Sequence, residues 1–176
     1  MNADELRALQ APVKARFKDN PTSAVSVLHA EGTLRGDDLR CLVPTFAGTA
    51  PAGLHQMTGG DGSDACAADM VLQGLVACAG VTLRVVATAM GIAVRGGSVR
   101  AEGVLDFRGT MGVSKDAPVG FREISLHLDP DCDATPEQRA KLLQLTERYC
   151  VVYQTLKSPP TLTTTITGLG DDRGHS

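Results

Sequence analysis

The sequence predicts an α+β domain in which a mostly antiparallel sheet packs against two main helices. Three observations lead there. The apolar stretch from Asp64 to Met90 has the length of a long helix, and short runs of alternating apolar and polar residues lie on either side of it. The resulting order, α-β-β-α-β-β-α-β, lacks the regular strand–helix alternation of a parallel sheet. With 176 residues, 43% of them hydrophobic and 21% charged, the chain can bury a core without disulfides or metals. No repeat or linker divides it, so residues 1–176 form a single domain, with residues 1–20 a helical extension and 169–176 a polar tail.

The elements follow from local signals. Asn2 stands as an N-cap with Glu5 three positions on, and Leu6, Leu9, Val13 and Phe17 share one face, which predicts an amphipathic helix over residues 3–17, kinked or shortened by Pro12. Two β-rich runs, residues 24–30 and 39–43, flank a turn-like 32–38 and predict a hairpin. Residues 47–63, rich in Gly and holding His55 and Met57, predict a long irregular loop. The central helix, apolar nearly all round, then ends at Gly91, a suitable C′ residue. Strands are predicted over Val99 to Phe107 and around Ile124 to Leu128. Thr135-Pro136-Glu137-Gln138 combines an N-cap, an N1 proline and an N3 glutamine, and opens a second helix carrying Leu142, Leu145, Tyr149, Val152 and Leu156. Ser158-Pro159-Pro160 ends it, a last strand runs from Thr161 to Thr167, and a tail follows from Gly168 to Ser176.

Composition excludes several functions. A net charge of −3 offers no field for phosphate backbones, and four phenylalanines, two tyrosines and no tryptophan offer little for stacking on bases. No nucleic-acid partner is expected. The N-terminus has neither the cationic start nor the apolar run of a secretory signal, which predicts a cytoplasmic protein. The stretch from Ala65 to Met90 contains Asp69, Gln73 and Arg84 and lacks basic flanks, so it reads as a core helix and not a membrane span. Five cysteines, odd in number and widely spaced, do not make a disulfide framework.

Most motifs fail. The run from Asp129 to Asp133 begins like a calcium loop but has Ala134 where the sixth-position Gly belongs and Ala140 where the twelfth-position Glu belongs, and so reads as a strand-to-helix turn. Residues 58–63 are glycine-rich without the Gly-Lys-Ser/Thr ending of a phosphate loop. No zinc-binding spacing occurs, His29, His55, His127 and His175 fall in different elements, and Gly-x-Ser-x-Gly is absent. Cysteine chemistry is left. Cys78 lies mid-helix between Gly74 and Thr82, one turn away on either side, where small residues leave the sulfur room. A cysteine in so apolar a run is by itself a core residue. Cys150 lies on the second long helix, near its end.

In this order of elements, a helix-borne Cys78 followed by a hairpin and then by Cys150-Val-Val-Tyr-Gln-Thr-Leu156 resembles the OsmC/Ohr family of thiol peroxidases, from about Val25 to Ile166. The resemblance implies an interlocked homodimer with sites at the subunit interface. It implies that Cys78 attacks an organic hydroperoxide or hydrogen peroxide, that Cys150 resolves the sulfenic acid as a disulfide, and that an external dithiol of lipoyl or thioredoxin type resets the pair, with no bound cofactor. It implies further that an arginine activates the thiolate. By its place in the first hairpin, Arg35 is the match, while Arg40, Arg84, Arg108 and Arg148 read as solvated or structural.

Two positions depart from the family pattern. Its glutamate ten residues before the first cysteine is Ala68 here, and Asp69, rotated by about 100° on a helix, does not replace it. The Cys-Pro-Val proline is Val151. Cys41, Cys66 and Cys132 match no family motif. Ala68 therefore keeps a second reading open, a catalytically weak dimer of the same fold that binds a small apolar ligand or has a structural stress role.

Overall fold

The structure is a computed structural model that describes residues 1–36 and 38–167; the polar tail lies outside the described residues. Helix α1 (Ala3–Asp19) carries the expected capping box: Asn2 accepts from the amides of Asp4 and Glu5, and Glu5 accepts from the Asn2 amide, each at 2.9 Å. Pro12 neither shortens nor ends it. Ala8, whose carbonyl loses its partner at Pro12, belongs to an exposed residue that water can reach.

The first sheet departs from expectation. Strand β1 is only Thr33–Leu34, pairing with β2 (Cys41–Thr45), and residues 25–32 form no strand. The main partner of β2 is β3 (Gly48–Gly53), inside the stretch expected to be loop, with a tight turn at Phe46 and Ala47. Strand β4 (Ala65–Cys66) then pairs parallel with β3 and leads directly into the central helix. The predicted strand over residues 161–167 is likewise not formed. Leu162 and Ile166 are 85% and 80% exposed, and no strand of the described chain offers them a ladder. Strand patterns need a neighbour to become strands.

The second sheet agrees with the sequence and extends it, except that its first strand ends at Val104 and Phe107, expected within that strand, opens a helical turn. Strands β5 (Val94–Val104) and β6 (Glu123–Cys132) form one long antiparallel ribbon, with Val99 opposite Leu128 and Ala101 opposite Leu126 on the inner face. Gly97 sits beside an irregularity in register at φ +125°, where a Cβ would lie 2.2 Å from the Asp129 carbonyl oxygen, so only glycine fits. Between the strands, α3 (Phe107–Thr110) is a single turn. Its Phe107 ring stacks on His55 with centroids 4.7 Å apart, tying this connection to the loop after β3.

Helix α2 (Ala67–Ala89) is long and apolar enough to cross a membrane by length and composition. Here it is the axis of the core. Leu75, Ala79, Leu83, Val86 and Ala87 lie along one face and are buried against β5, β6 and α4 (Pro136–Tyr149). Its end is a Schellman cap: Gly91 at φ +71° donates to Thr88 and Ile92 donates to Ala87. The opposite face leaves Val71, Val81 and Val85 exposed. Helix α4 opens with the reciprocal Thr135–Gln138 capping box. The second long helix was expected to continue to Leu156, but it breaks at Cys150 and resumes as α5 (Val151–Lys157). Asp131 and Asp133, the calcium-like run, are both bound by the Arg95 guanidinium.

Leu142 is 2% exposed in the core formed by α2, β6 and α4, whereas its neighbour Leu143 is 48% exposed. Leu142→Ala should cost about 2–5 kcal/mol and Leu143→Ala about 0.5 kcal/mol, read as shifts of the urea midpoint. Equal shifts would refute this assignment of the core face.

Candidate active site

Cys78 sits on α2 about three turns from its start, too far to gain from the helix dipole. It faces the corner between α4 and α5. That corner is made by Cys150 itself, whose backbone leaves the helical region (φ −74°, ψ 108°). Its amide still donates to the Thr146 carbonyl at 2.9 Å, closing α4, while its own carbonyl accepts from Gln154 at 2.9 Å, opening α5. The Cys150 sulfur caps the new helix by accepting from the Tyr153 amide at 3.5 Å. Val151 and Val152, the first two residues of α5, therefore have amides without intrahelical acceptors. Among the described residues neither donates to an oxygen.

The two thiols meet in one apolar cluster. Cys150 is fully buried with Leu75 and Ala79, and Cys78, Val99, Ala101, Leu126, Val152 and Tyr153 pack around them. Burial is the largest single influence on Cys78 and acts against its thiolate, but it is outweighed by hydrogen bonds. These come from the Val152 amide, the Cys150 thiol, the Val151 amide and the Thr82 hydroxyl, and together they hold Cys78 below the ordinary thiol value. Cys150 moves the other way. Burial raises it most, and the neighbouring Cys78 adds to the rise. One thiol is thus prepared to lose its proton and the other to keep it.

Cys78 and Cys150, singled out in the sequence, are brought together within a single chain. Arg35 is not. It is exposed just after β1 and is absent from the groups that set the Cys78 ionisation. Arg40 is engaged elsewhere, paired at 2.6 Å with Asp64, whose side chain is largely buried ahead of α2. The sequence marks Arg40 as solvated or structural, and nothing in the spacing of Arg40 and Asp64 announces the pair. In the sequence Thr82 stands only as a small neighbour of Cys78, and Val151 only as the residue in place of a proline. The signal available for both was their sequence position, one turn after Cys78 and one residue after Cys150.

One space adjoins the cluster and another lies along α2. A cavity of about 430 Å³ reaches Leu75, Leu126 and Tyr153. A larger groove of about 650 Å³ runs between α1, α2 and α4, lined mainly by apolar side chains such as Val81, Val85, Leu145 and Tyr149, with Thr82 on its wall. Thr146, completely buried one turn before Cys150, has a hydroxyl without a hydrogen-bond partner among the described residues.

The fold and its facing thiols define a small α+β thiol protein built around one central helix. The chain belongs to the OsmC-like proteins: residues 60–165, more than half of its length, match the family model described as OsmC-like protein. The fold is similar to an OsmC-like protein from Mycoplasma pneumoniae, at 16% identity and a TM-score of 0.63, over 76% of this chain and 89% of the other. It is similar to an organic hydroperoxide resistance protein OsmC from Legionella pneumophila, at 17% identity and a TM-score of 0.59, over 76% and 93%. A third similar structure is the organic hydroperoxide resistance protein OhrB of Bacillus subtilis, at 17% identity and a TM-score of 0.52, over 76% and 94%. Comparison with curated protein sequences gives no match.

With its pKa lowered, Cys78 should alkylate with iodoacetamide at neutral pH, with a rate midpoint below that of a free thiol, while buried Cys150 is spared until higher pH. Peptide mapping after brief labelling of the reduced protein reads this directly. Preferential labelling of Cys150 would reverse the assignment of the two thiols.

Proposed function

We propose that the protein is a cysteine-based peroxidase that reduces organic hydroperoxides, or hydrogen peroxide, in defence against oxidative stress. The observation that carries this is the facing pair Cys78 and Cys150, with the first thiol lowered and the second raised. In the proposed reaction the Cys78 thiolate attacks the terminal peroxide oxygen and the O–O bond breaks. The sulfur leaves as a sulfenic acid, and the alkoxide takes a proton to become an alcohol. Cys150, still a thiol, then condenses with the sulfenic acid, forming the disulfide and releasing water. An external dithiol, of lipoyl or thioredoxin type, takes up the disulfide's oxidation and restores both thiols.

Arg35 is proposed as the cation that activates the Cys78 thiolate, brought there by assembly of two subunits. The apolar groove beside Thr82 favours a substrate with a hydrocarbon portion over hydrogen peroxide. We place the protein in the cytoplasm as a soluble homodimer. The second reading, a weak dimer that binds a small apolar ligand or serves a structural stress role, draws on the same groove and on Ala68.

A peroxide-consumption assay with dithiothreitol or a lipoyl donor separates the two. Turnover lost in Cys78→Ser, with stoichiometric peroxide giving a Cys78–Cys150 disulfide in the parent, is the expected result. No consumption above the Cys78→Ser background would support the binding reading, and peptide maps showing Cys66 or Cys132 as the partner of Cys78 would overturn the resolving role of Cys150.

Light scattering should give the mass of a homodimer at micromolar concentration. The exposed valines of α2 and the unpaired apolar residues Val25, Val27, Leu162 and Ile166 would then be covered by the second subunit. A monomer would remove the assembly on which Arg35 depends.

A further inference from the structure

We propose that the groove between α1, α2 and α4 binds a single-chain amphiphile with an anionic head group, its hydrocarbon tail lying along α2 and its carboxylate held by Lys14 of α1. The inference rests on the reading of this groove as a ligand site and adds the head group of the ligand and the residue that selects it.

The groove, at about 650 Å³, has the size of a small-molecule site. Its walls differ. Helices α2 and α4 supply mainly apolar side chains, among them Val81, Val85 and Leu145. Helix α1 supplies Leu6, Gln10 and Lys14, one on each successive turn, so its wall passes from an apolar end to a cationic one over about 12 Å. The start of α1 lies by the end of α2, since Asn2 and Ala3 share a cavity with Thr88 and Gly91. Leu6, which is 6% exposed, lines the groove at that end with Val86 and Met90. The tail therefore has its place near Leu6 and the head at Lys14, a span that the extended chain of decanoate covers. Helix α1 lies outside residues 60–165, so this wall is not part of what the chain shares with the family model.

The charge around the head position has one sign. None of the residues lining the groove is a carboxylate. The ion pairs of α1 among the described residues, Met1 with Glu5 and Arg7 with Asp4, lie before Lys14 and leave it out. The residues three and four positions from Lys14 are Gln10, Ala11, Phe17 and Lys18, and none is acidic. On the opposite wall the Arg148 guanidinium lies over the Tyr149 ring, 5.4 Å from its centroid, and Tyr149 lines the groove. The remaining polar groups, on Gln10, Thr82 and Tyr149, carry no charge at neutral pH. In a chain of net charge −3, a groove with cations on two walls and no acid favours an anionic head over a neutral or cationic one.

Titration calorimetry of the intact, reduced chain with decanoate, decanol and decyltrimethylammonium reads the head group, and octanoate against decanoate reads the tail. No peroxide is involved, so a failure of peroxidase turnover leaves this result standing, and the two claims fail separately. Decanoate should bind most tightly of the three ten-carbon ligands and decyltrimethylammonium least, and octanoate should bind about tenfold more weakly than decanoate. Lys14→Met should cut the preference for decanoate over decanol by about twofold to fivefold, and Lys14→Arg should keep it. Val85→Phe, which puts a larger side chain into the groove, should weaken all of these ligands, with circular dichroism confirming its fold. Decanol binding as tightly as decanoate would overturn the proposal, as would a preference unchanged in Lys14→Met, a surface substitution that leaves the core alone. Absence of decanoate binding would overturn it too, and a dimer that Val85→Phe dissociates in light scattering would then give the groove to a second copy of the chain.

Discussion

The rest of the site depends on one backbone event, the break between α4 and α5 at Cys150. A continuous helix through this point would satisfy the amides of residues 151 and 152 internally. It would also leave the Cys150 sulfur without a helix to cap. The break does three things at once. It buries Cys150 against Leu75 and Ala79, it sets the Cys150 sulfur beneath the Tyr153 amide, and it frees two N–H groups on the side that faces Cys78. Sulfur is a weak acceptor and 3.5 Å is a long bond, so the corner owes its stability to the packing of α5 on α2 more than to the cap.

That corner also explains why two identical functional groups, side by side in one cluster, differ in acidity. Desolvation acts on both and disfavours each thiolate. The donors are unevenly shared. Cys78 receives two amides and a hydroxyl and accepts from the Cys150 thiol, whereas Cys150 receives help from Tyr153 and Val152 and donates its own proton to its neighbour. The two shifts run in opposite directions, so Cys78 loses its proton more readily than Cys150. A mechanism with one attacking and one resolving thiol needs this asymmetry, since a resolving thiol that ionised first would compete for the peroxide.

The parts of this arrangement that were legible in the sequence are those set by local signals. The capping boxes at Asn2 and Thr135, the glycine at Gly91 and the alternation of β5 and β6 each encode their structure within a few residues, and each formed as expected. The errors share a cause. Residues 24–30 and 161–167 have strand patterns, but alternation states only that one face seeks cover and not which strand supplies it. Conversely, β3 is a run of Gly, Ala, Thr and Pro whose composition argues for loop, and pairing with β2 overrides that preference. The thiol pair was legible through its likeness to a family. The break at Cys150 was not, because the apolar spacing of Leu145, Tyr149, Val152 and Leu156 reads as one uninterrupted helix.

The same distinction bears on what covers the molecule. Helix α2 is buried along one face by its own chain and leaves Val71, Val81 and Val85 to solvent on another, while Val25, Val27, Leu162 and Ile166 lie exposed in stretches patterned for strands. Single exposed apolar residues are ordinary on a protein surface, but an exposed helix face together with two unpaired strand patterns is a set of complementary needs. A strand pattern requires a ladder and an apolar face requires a lid, and in a symmetric pair each copy can supply both to the other. Arg35 fits the same argument. It sits at the edge of the small first sheet, next to the unpaired stretch 25–32, so whatever completes that sheet also decides where its guanidinium is carried.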